Sequence, residues 1–312
     1  MFSVIARRIV VGIPVVFGVA VVLFIVLRLL PGDPVSVLLQ GAPATAGQVA
    51  QLKHQFGLDR PIVSQFGIFL WHALQGNFGV SYQTKQPVTT MIGAQALPTV
   101  ELMMTAVVFT AVLGTSLGVV AAVYRNSWVD GLIRVVSILG TSMPSFWVGI
   151  LLLMLFSFKL HVLPATGTGG LERLILPGLA LSLAAAGIVA RLVRNSVIEV
   201  LGEGFVVALT AKGISRRKII VKHVLRNALI PAITIIGFQV GALLAGAVIV
   251  ETVFARQGLG RLLVTAIQGD DYPVVHGTVL LIAVAYVVVN IAVDISYAYV
   301  DPRIRSALTK QG

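Results

Sequence analysis

The chain of 312 residues contains no cysteine, and only 11% of its residues are charged. Without cysteine there is no disulfide framework, no thiolate metal site and no cysteine nucleophile. Soluble domains carry about a quarter charged residues, so a chain this poor in charge cannot cover itself with a surface that faces water. Acidic side chains are scarcest, 12 against 23 lysines and arginines, for a formal net charge of +11. An excess of that size can mark a nucleic-acid binder. Here the basic residues stand at segment ends and in one loop, with no aromatic-interleaved groove, so nucleic acid is not an expected partner. No glycine-rich loop ending in Gly-Lys-Ser or Gly-Lys-Thr is present to cradle a phosphate. The histidines, His54, His72, His161, His223 and His276, lack the spacing of a metal cluster. No catalytic, cofactor or metal site is expected in this chain, which is not read as an enzyme.

What the chain does have is apolar length: 57% of its residues are hydrophobic. Six segments reach the roughly 20 residues that a helix needs to cross a hydrocarbon core. They are expected at 9–30, 99–123, 135–158, 174–193, 228–250 and 278–297. The first is too long for a signal-peptide core and lacks a small-residue cleavage site, so it is read as a retained span. The expected fold is all-α, a polytopic membrane bundle of about six helices.

Orientation follows from the short loops that carry lysine and arginine. Arg7 and Arg8 precede the first span, Arg125 and Arg134 follow the second, and Arg303, Arg305 and Lys310 follow the sixth. These loops are expected inside, with both termini. The segment 31–98 is then external, and two short amphipathic helices are expected in it. One carries Val49, Leu52 and Phe56, the other Ile62, Phe66, Phe69, Leu70 and Leu74, and Gly76, Gly79 and the Pro87 region end them. A division into 1–98, the first helix with this external segment, and 99–312, the remaining five helices, follows.

Between the fourth and fifth spans lies a basic amphipathic stretch, about 199–227, that carries Lys212, Arg216, Arg217, Lys218, Lys222 and Arg226. Its charges alone need only fix topology or touch anionic lipid. The finer pattern says more. Ala208 and Ala211 are small, Gly213 permits a backbone reversal, and Ile214, Ile219, Ile220, Val224 and Leu225 form an apolar stripe after it. A small-residue turn between two short helices can enter a cleft of another protein.

Ala208-Leu209-Thr210-Ala211-Lys212-Gly213, followed by Arg226-Asn227-Ala228-Leu229-Ile230-Pro231, resembles the EAA loop of ABC importer permeases in the dipeptide and oligopeptide branch. Arg28-Leu29-Leu30-Pro31-Gly32-Asp33-Pro34, Gly57-Leu58-Asp59-Arg60-Pro61, Ser142-Met143-Pro144-Ser145-Phe146-Trp147, Arg194-Asn195-Ser196-Val197, Asp270-Asp271-Tyr272-Pro273 and Asp301-Pro302-Arg303-Ile304-Arg305 occur in that family's order. The general pattern's glutamate and third alanine are Val207 and Leu209 here. The resemblance implies a permease subunit that pairs with a homologous second permease, two cytoplasmic ABC ATPases and an extracytoplasmic solute-binding protein. It also implies a bacterial inner membrane, with lipid around the chain and ATP and Mg bound by the partners. Ala208, Thr210, Ala211, Lys212, Gly213 and Ile214 are then the residues that couple to an ATPase. Related systems carry dipeptides, oligopeptides, glutathione or nickel complexes, and the choice stays open.

Ionisable groups at membrane depth invite a functional reading. Arg28, Glu101 and Glu251 near outer helix ends, and Asp294 near an inner one, either pair and snorkel or line a route. Gln239 and Asn290, nearer mid-bilayer, either bond between helices or line the path with Gly241 and Glu251. Gly114, Gly118, Gly237, Gly241 and Gly246 allow close helix packing, and Pro144 is expected to kink the third span. Functions of another class, a secondary carrier or an intramembrane enzyme, would require midplane carboxylates or converging polar groups, which the sequence does not offer.

Overall fold

The computed structural model describes residues 2–29, 45–55 and 59–300. Several expectations therefore lie outside it: 30–34 and 57–58 of the quoted motifs, Phe56, the C-terminal Arg303, Arg305 and Lys310, and the side chains of Arg7, Leu52 and Asp294. Among the described residues the chain is helical, with no strand and one antiparallel bridge, Val80 to Pro87. The all-α membrane fold is what the structure has. In chain order the helices are α1 (Phe2–Leu29), α2 (Ala46–Gln55), α3 (Ile62–Leu74), α4 (Val88–Val123), α5 (Trp128–Ser142) and α6 (Ser145–Leu152), the last extended by a π-helical stretch, Leu153–Lys159. They continue with α7 (Glu172–Leu201), α8 (Gly204–Ala211), α9 (Arg216–Lys218), a second π-helical stretch (Ile219–Val224), α10 (Leu225–Ala228), α11 (Ile230–Val253), α12 (Leu259–Gln268) and α13 (Tyr272–Val300). Among the described residues five helices are long and apolar enough to cross a membrane, six if α5 and α6 form one bent span.

Three details go beyond the expectations. The helix that carries the second span begins at Val88, ahead of Pro98, because buried Val88 and Ile92 anchor its first turns. The third span is broken, not merely kinked: α5 and the helix from Ser145 to Lys159 meet at 112°. Pro144 has no N–H to continue the ladder and holds Met143 in the extended region, with φ −86° and ψ 132°. The hydroxyls of Thr141 and Ser142 donate to the Ile138 carbonyl in the last turn of α5. Finally, α12 was not anticipated, being too short to span and lying beyond an apolar run.

The chain divides into two compact units. One comprises residues 1–99 and 257–288, with Leu23, Val88, Ile92, Leu259, Val274 and Val275 in its core. In it Phe24 of α1 lies 5.2 Å from Phe66 and 6.1 Å from Phe69 of α3, ring centroid to centroid, and Arg28 donates to Gln65. Asp271, at the start of α13, accepts from the Ser81 hydroxyl, from Tyr82 N at 3.0 Å and from Gln83 N at 3.4 Å. That carboxylate pins a hairpin, closed by Val88 N to Gly79 O at 3.0 Å, whose residues 83–87 are exposed. Burial, followed by the charge of Asp271, pushes the Tyr82 phenol up to about 12.

The other unit comprises 100–256 and 289–312 and is built around α7. Its sequence from Leu179 to Ala190 is rich in alanine and glycine, which lets neighbouring backbones come close. A Cβ on Gly118 of α4 would sit 2.6 Å from the Ala190 carbonyl oxygen, and one on Gly187 of α7 would sit 2.6 Å from that of Ser137 in α5. Gly114 lies equally close to Val189, and Gly246 of α11 close to Leu181. These glycines pack helices, as expected.

Candidate functional site

The basic stretch between α7 and α11 folds as the sequence pattern requires. Helix α8 ends in a Schellman motif: Gly213 has φ 76°, its N–H donates to Thr210 O at 2.9 Å, and Ile214 N–H donates to Leu209 O at 3.2 Å. A positive φ is inexpensive only without a Cβ, so glycine makes this reversal. Ile214 turns inward with Leu209 onto a core that contains Ile219, Val224, Ala228 and, from α7, Val197 and Val200. The reversal therefore leaves Ala208, Thr210, Ala211, Lys212 and Gly213 exposed together, while Ile214 is the one candidate that is half-buried. No side chain or backbone atom lies within 4 Å of where a Gly213 Cβ would stand. Beneath the turn, Leu201, Val206, Thr210, Ile214, Arg216 and Ile219 line a cleft of about 290 Å³. The wider π-helical turn at Ile219–Val224 was not legible in the sequence; it places Ile219, Ile220 and Val224 inward and leaves Val221 and Lys222 exposed.

The turn is joined to a rigid frame. Asp130 in the first turn of α5 is fully buried and accepts two bonds from Arg194 of α7, Nε to Oδ1 and Nη2 to Oδ2, each at 2.7 Å. Asn126 N adds a third at 3.0 Å, and Arg134 stands 3.5 Å away. Ser127 caps the same helix, its Oγ accepting from Asp130 N at 3.4 Å. This planar fork-to-fork geometry is the strongest form of ion pair available to the two side chains. It fixes α5 to the end of α7 that leads into α8. Sequence reasoning did not find the pair, although Ser127-x-x-Asp130 is a readable start signal for a helix.

Gln239 on α11 is half-buried and makes no hydrogen bond to another described residue, Gly241 is buried, and Asn290 on α13 is half-buried. Glu251 is 0% exposed, wholly enclosed in the chain. Glu101 pairs with Arg256, which is 1% exposed, at 2.9 Å. A carboxylate in an apolar helix demands such a cation, but no local pattern in the sequence points to Arg256. Gly114-Thr115-Ser116-Leu117-Gly118 has the spacing of a hydrolase nucleophile elbow. It lies inside the unbroken helix α4, not at the strained strand-to-helix turn that exposes a nucleophile. Among the described residues no group of acids and histidines is placed to hold a metal ion.

Residues 114–306 match the family described as binding-protein-dependent transport system inner membrane component, and residues 1–104 match that system's N-terminal membrane component. The chain belongs to this family. It is a permease of the ABC importer class, and its family's transport depends on a binding protein. The permease is 40% identical over 305 residues to the glutathione transport system permease protein GsiC of Salmonella typhimurium (strain LT2), covering 98% of this chain and 99% of that one. With the protein of the same name from Escherichia coli (strain K12) it shares 39% over the same coverage. Among solved structures, a chain of the MetNI methionine ABC transporter, described in inward facing conformations, has the same fold, with a TM-score of 0.56 at 19% identity. That likeness covers 68% of the permease and 96% of the other chain.

Proposed function

We propose that the permease forms, with a homologous second permease subunit, the membrane pathway of an ATP-driven importer for small peptides, glutathione included. The observation that carries this reading is the end-to-end identity of 40% with permeases named for glutathione transport. A nickel complex, carried by related machinery, has no such support here.

In this reading the exposed turn of Ala208, Thr210, Ala211, Lys212 and Gly213 enters a cleft on an ATPase subunit, and Ile214 holds the turn to its own chain. Two ATPase subunits bind ATP and Mg; this chain binds neither. A solute-binding protein delivers the substrate on the side of 31–98, and both termini are cytoplasmic at a bacterial inner membrane. Gln239, Gly241 and Asn290 are assigned to the route. Enclosed Glu251 is not.

The test is reconstitution. Permease, second permease and ATPases co-expressed from one locus are purified together and placed in liposomes with the cognate binding protein. Uptake of labelled glutathione and of a dipeptide should require ATP on the ATPase side and binding protein on the other. Uptake by this chain alone, driven by a proton gradient, would establish a secondary carrier instead.

A further inference from the structure

Helix α3, Ile62–Leu74, contains no lysine, arginine, aspartate or glutamate, and none occurs between Pro61 and Thr84. None of its residues is fully buried, and its large apolar side chains stay open: Val63 is 83% exposed, Leu74 82%, Ile62 60% and Trp71 60%. Val63, Gly67, Trp71 and Leu74, spaced four, four and three, follow one side of the helix. Ser64 and His72, both exposed, with Gln75 just past the helix end, follow another. At 13 residues α3 is about 20 Å long, too short to cross a bilayer. In water it would present a wide apolar surface, which the faces of soluble proteins rarely do.

Its contacts set its depth. α1 crosses the membrane as Arg8–Leu29 and is largely uncovered, with Val22, Ile25 and Val26 exposed. Gln65 of α3 accepts from Arg28, near the end of that span. Phe66 meets both Phe24, at 5.2 Å, and Phe17, at 6.0 Å between ring centroids. Phe17 stands about 16 Å along the helix axis from Arg28, near the middle of the span. A ring that bridges Phe17 and Phe24 is therefore at the depth of hydrocarbon, and the helix that bears it lies beside the lipid that meets α1. Phe69 adds a ring contact, 4.7 Å, to His276 of α13, a second span.

We propose that α3 is embedded in the membrane leaflet at the C-terminal end of α1, with Val63, Gly67, Trp71 and Leu74 against lipid acyl chains and Ser64 and His72 toward the headgroups. An interfacial helix has this division, an apolar side sunk below the headgroups and a polar side at their level. Tryptophan suits the boundary, because its ring is apolar and its N–H polar. The helix then continues the lipid-facing surface of α1 instead of lying over an aqueous face. The inference is independent of what the importer carries. It rests on α1 as a span, and in the proposed topology the leaflet is the outer one.

The test places nitroxide spin labels in the complete importer, reconstituted in liposomes of phosphatidylethanolamine and phosphatidylglycerol. It reads collisions with oxygen, which concentrates in hydrocarbon, and with a chromium oxalate complex, which stays in water. This chain has no cysteine, so Val63→Cys, Leu74→Cys, His72→Cys and, on α1, Val22→Cys are labelled one at a time, with the unsubstituted importer as background. All four replace exposed side chains, which spares the packing. Labels at Val63 and Leu74 should match Val22, open to oxygen and shielded from the chromium complex, and the label at His72 should shift toward the chromium complex. Collision with the chromium complex at Val63 and Leu74 in excess of His72 would put that side of α3 in water and overturn the proposal while leaving α1 as a span. Shielding of Val63 and Leu74 from both reagents in the assembled complex would also overturn it, since that marks a protein surface, such as the second permease subunit, as the cover. Access of the chromium complex to Val22 would overturn the span and this inference together.

Discussion

At the scale of single residues, the most consequential contact is the Asp130–Arg194 pair. Asp130 is fully buried and the Arg194 side chain 16% exposed, so neither partner can fall back on water when the other is removed. Removing one member of a buried pair costs about 3–5 kcal/mol. Asp130→Asn should therefore lower the melting temperature of the purified complex and its yield, and the double variant Asp130→Asn with Arg194→Gln should be less damaged than the single one. Equal melting of wild type and Asp130→Asn would show the pair to be idle. Tyr82 gives a second readout. Its folded pKa is raised, from 10.0 to about 12, so the folded state favours the neutral phenol. That contribution is fully present below about pH 10 and is lost as pH rises through about 12. Phenolate absorbance should thus show a component ionising near 12 that Tyr82→Phe diminishes. Of these contacts only the cap at Ser127 was readable in the sequence. Arg194 lies 64 positions from Asp130, and no local pattern reports which distant arginine a carboxylate meets.

Elements were more legible than contacts, and the misses have physical causes. Apolar length located the candidate spans among the described residues, since a bilayer sets a minimum number of residues. Glycine at 213 announced the reversal in the basic segment because only a residue without a Cβ takes that φ cheaply. Pro144 announced a disturbance but not its size: the break of 112° depends on what each half packs against, which lies far along the chain. Helix α12 and the pinned hairpin were missed because a 10-residue helix and a loop carry no length signal. The hairpin depends on one acceptor for three donors, the Ser81 hydroxyl and the amides of Tyr82 and Gln83. Asp271→Ala should speed hydrogen exchange at those two amides by about tenfold or more, by lowering the free energy of local opening. Unchanged exchange would mean that the hairpin is held by its own turn and by the bridge from Val80 to Pro87.

For the whole molecule, family membership rests on matches to residues 1–104 and 114–306, and the expected resemblance to ABC importer permeases agrees with it. The exposed turn at Gly213 was legible as a segment, because small residues and a glycine reversal leave a local trace. The route was not, because it depends on which face each helix leaves uncovered. Orientation is open to direct test in a chain without cysteine. A cysteine at Thr45 should react with an impermeant thiol reagent from outside, and one at Ser215 should not; the reverse pattern would invert the proposed topology.

Coupling through the turn at Gly213 is the central claim, and one measurement addresses it most directly. Wild-type and Gly213→Glu importers, purified as intact complexes, are assayed on the same preparations for ATP hydrolysis stimulated by loaded binding protein and for peptide uptake. In the isolated chain the glutamate has open space and only the strain of a positive φ to bear, about 1 kcal/mol, so the permease should still fold and insert. The account predicts an assembled complex in which stimulated hydrolysis and uptake both collapse. A Gly213→Glu complex that assembles, hydrolyses ATP on stimulation and transports at wild-type rates would contradict it.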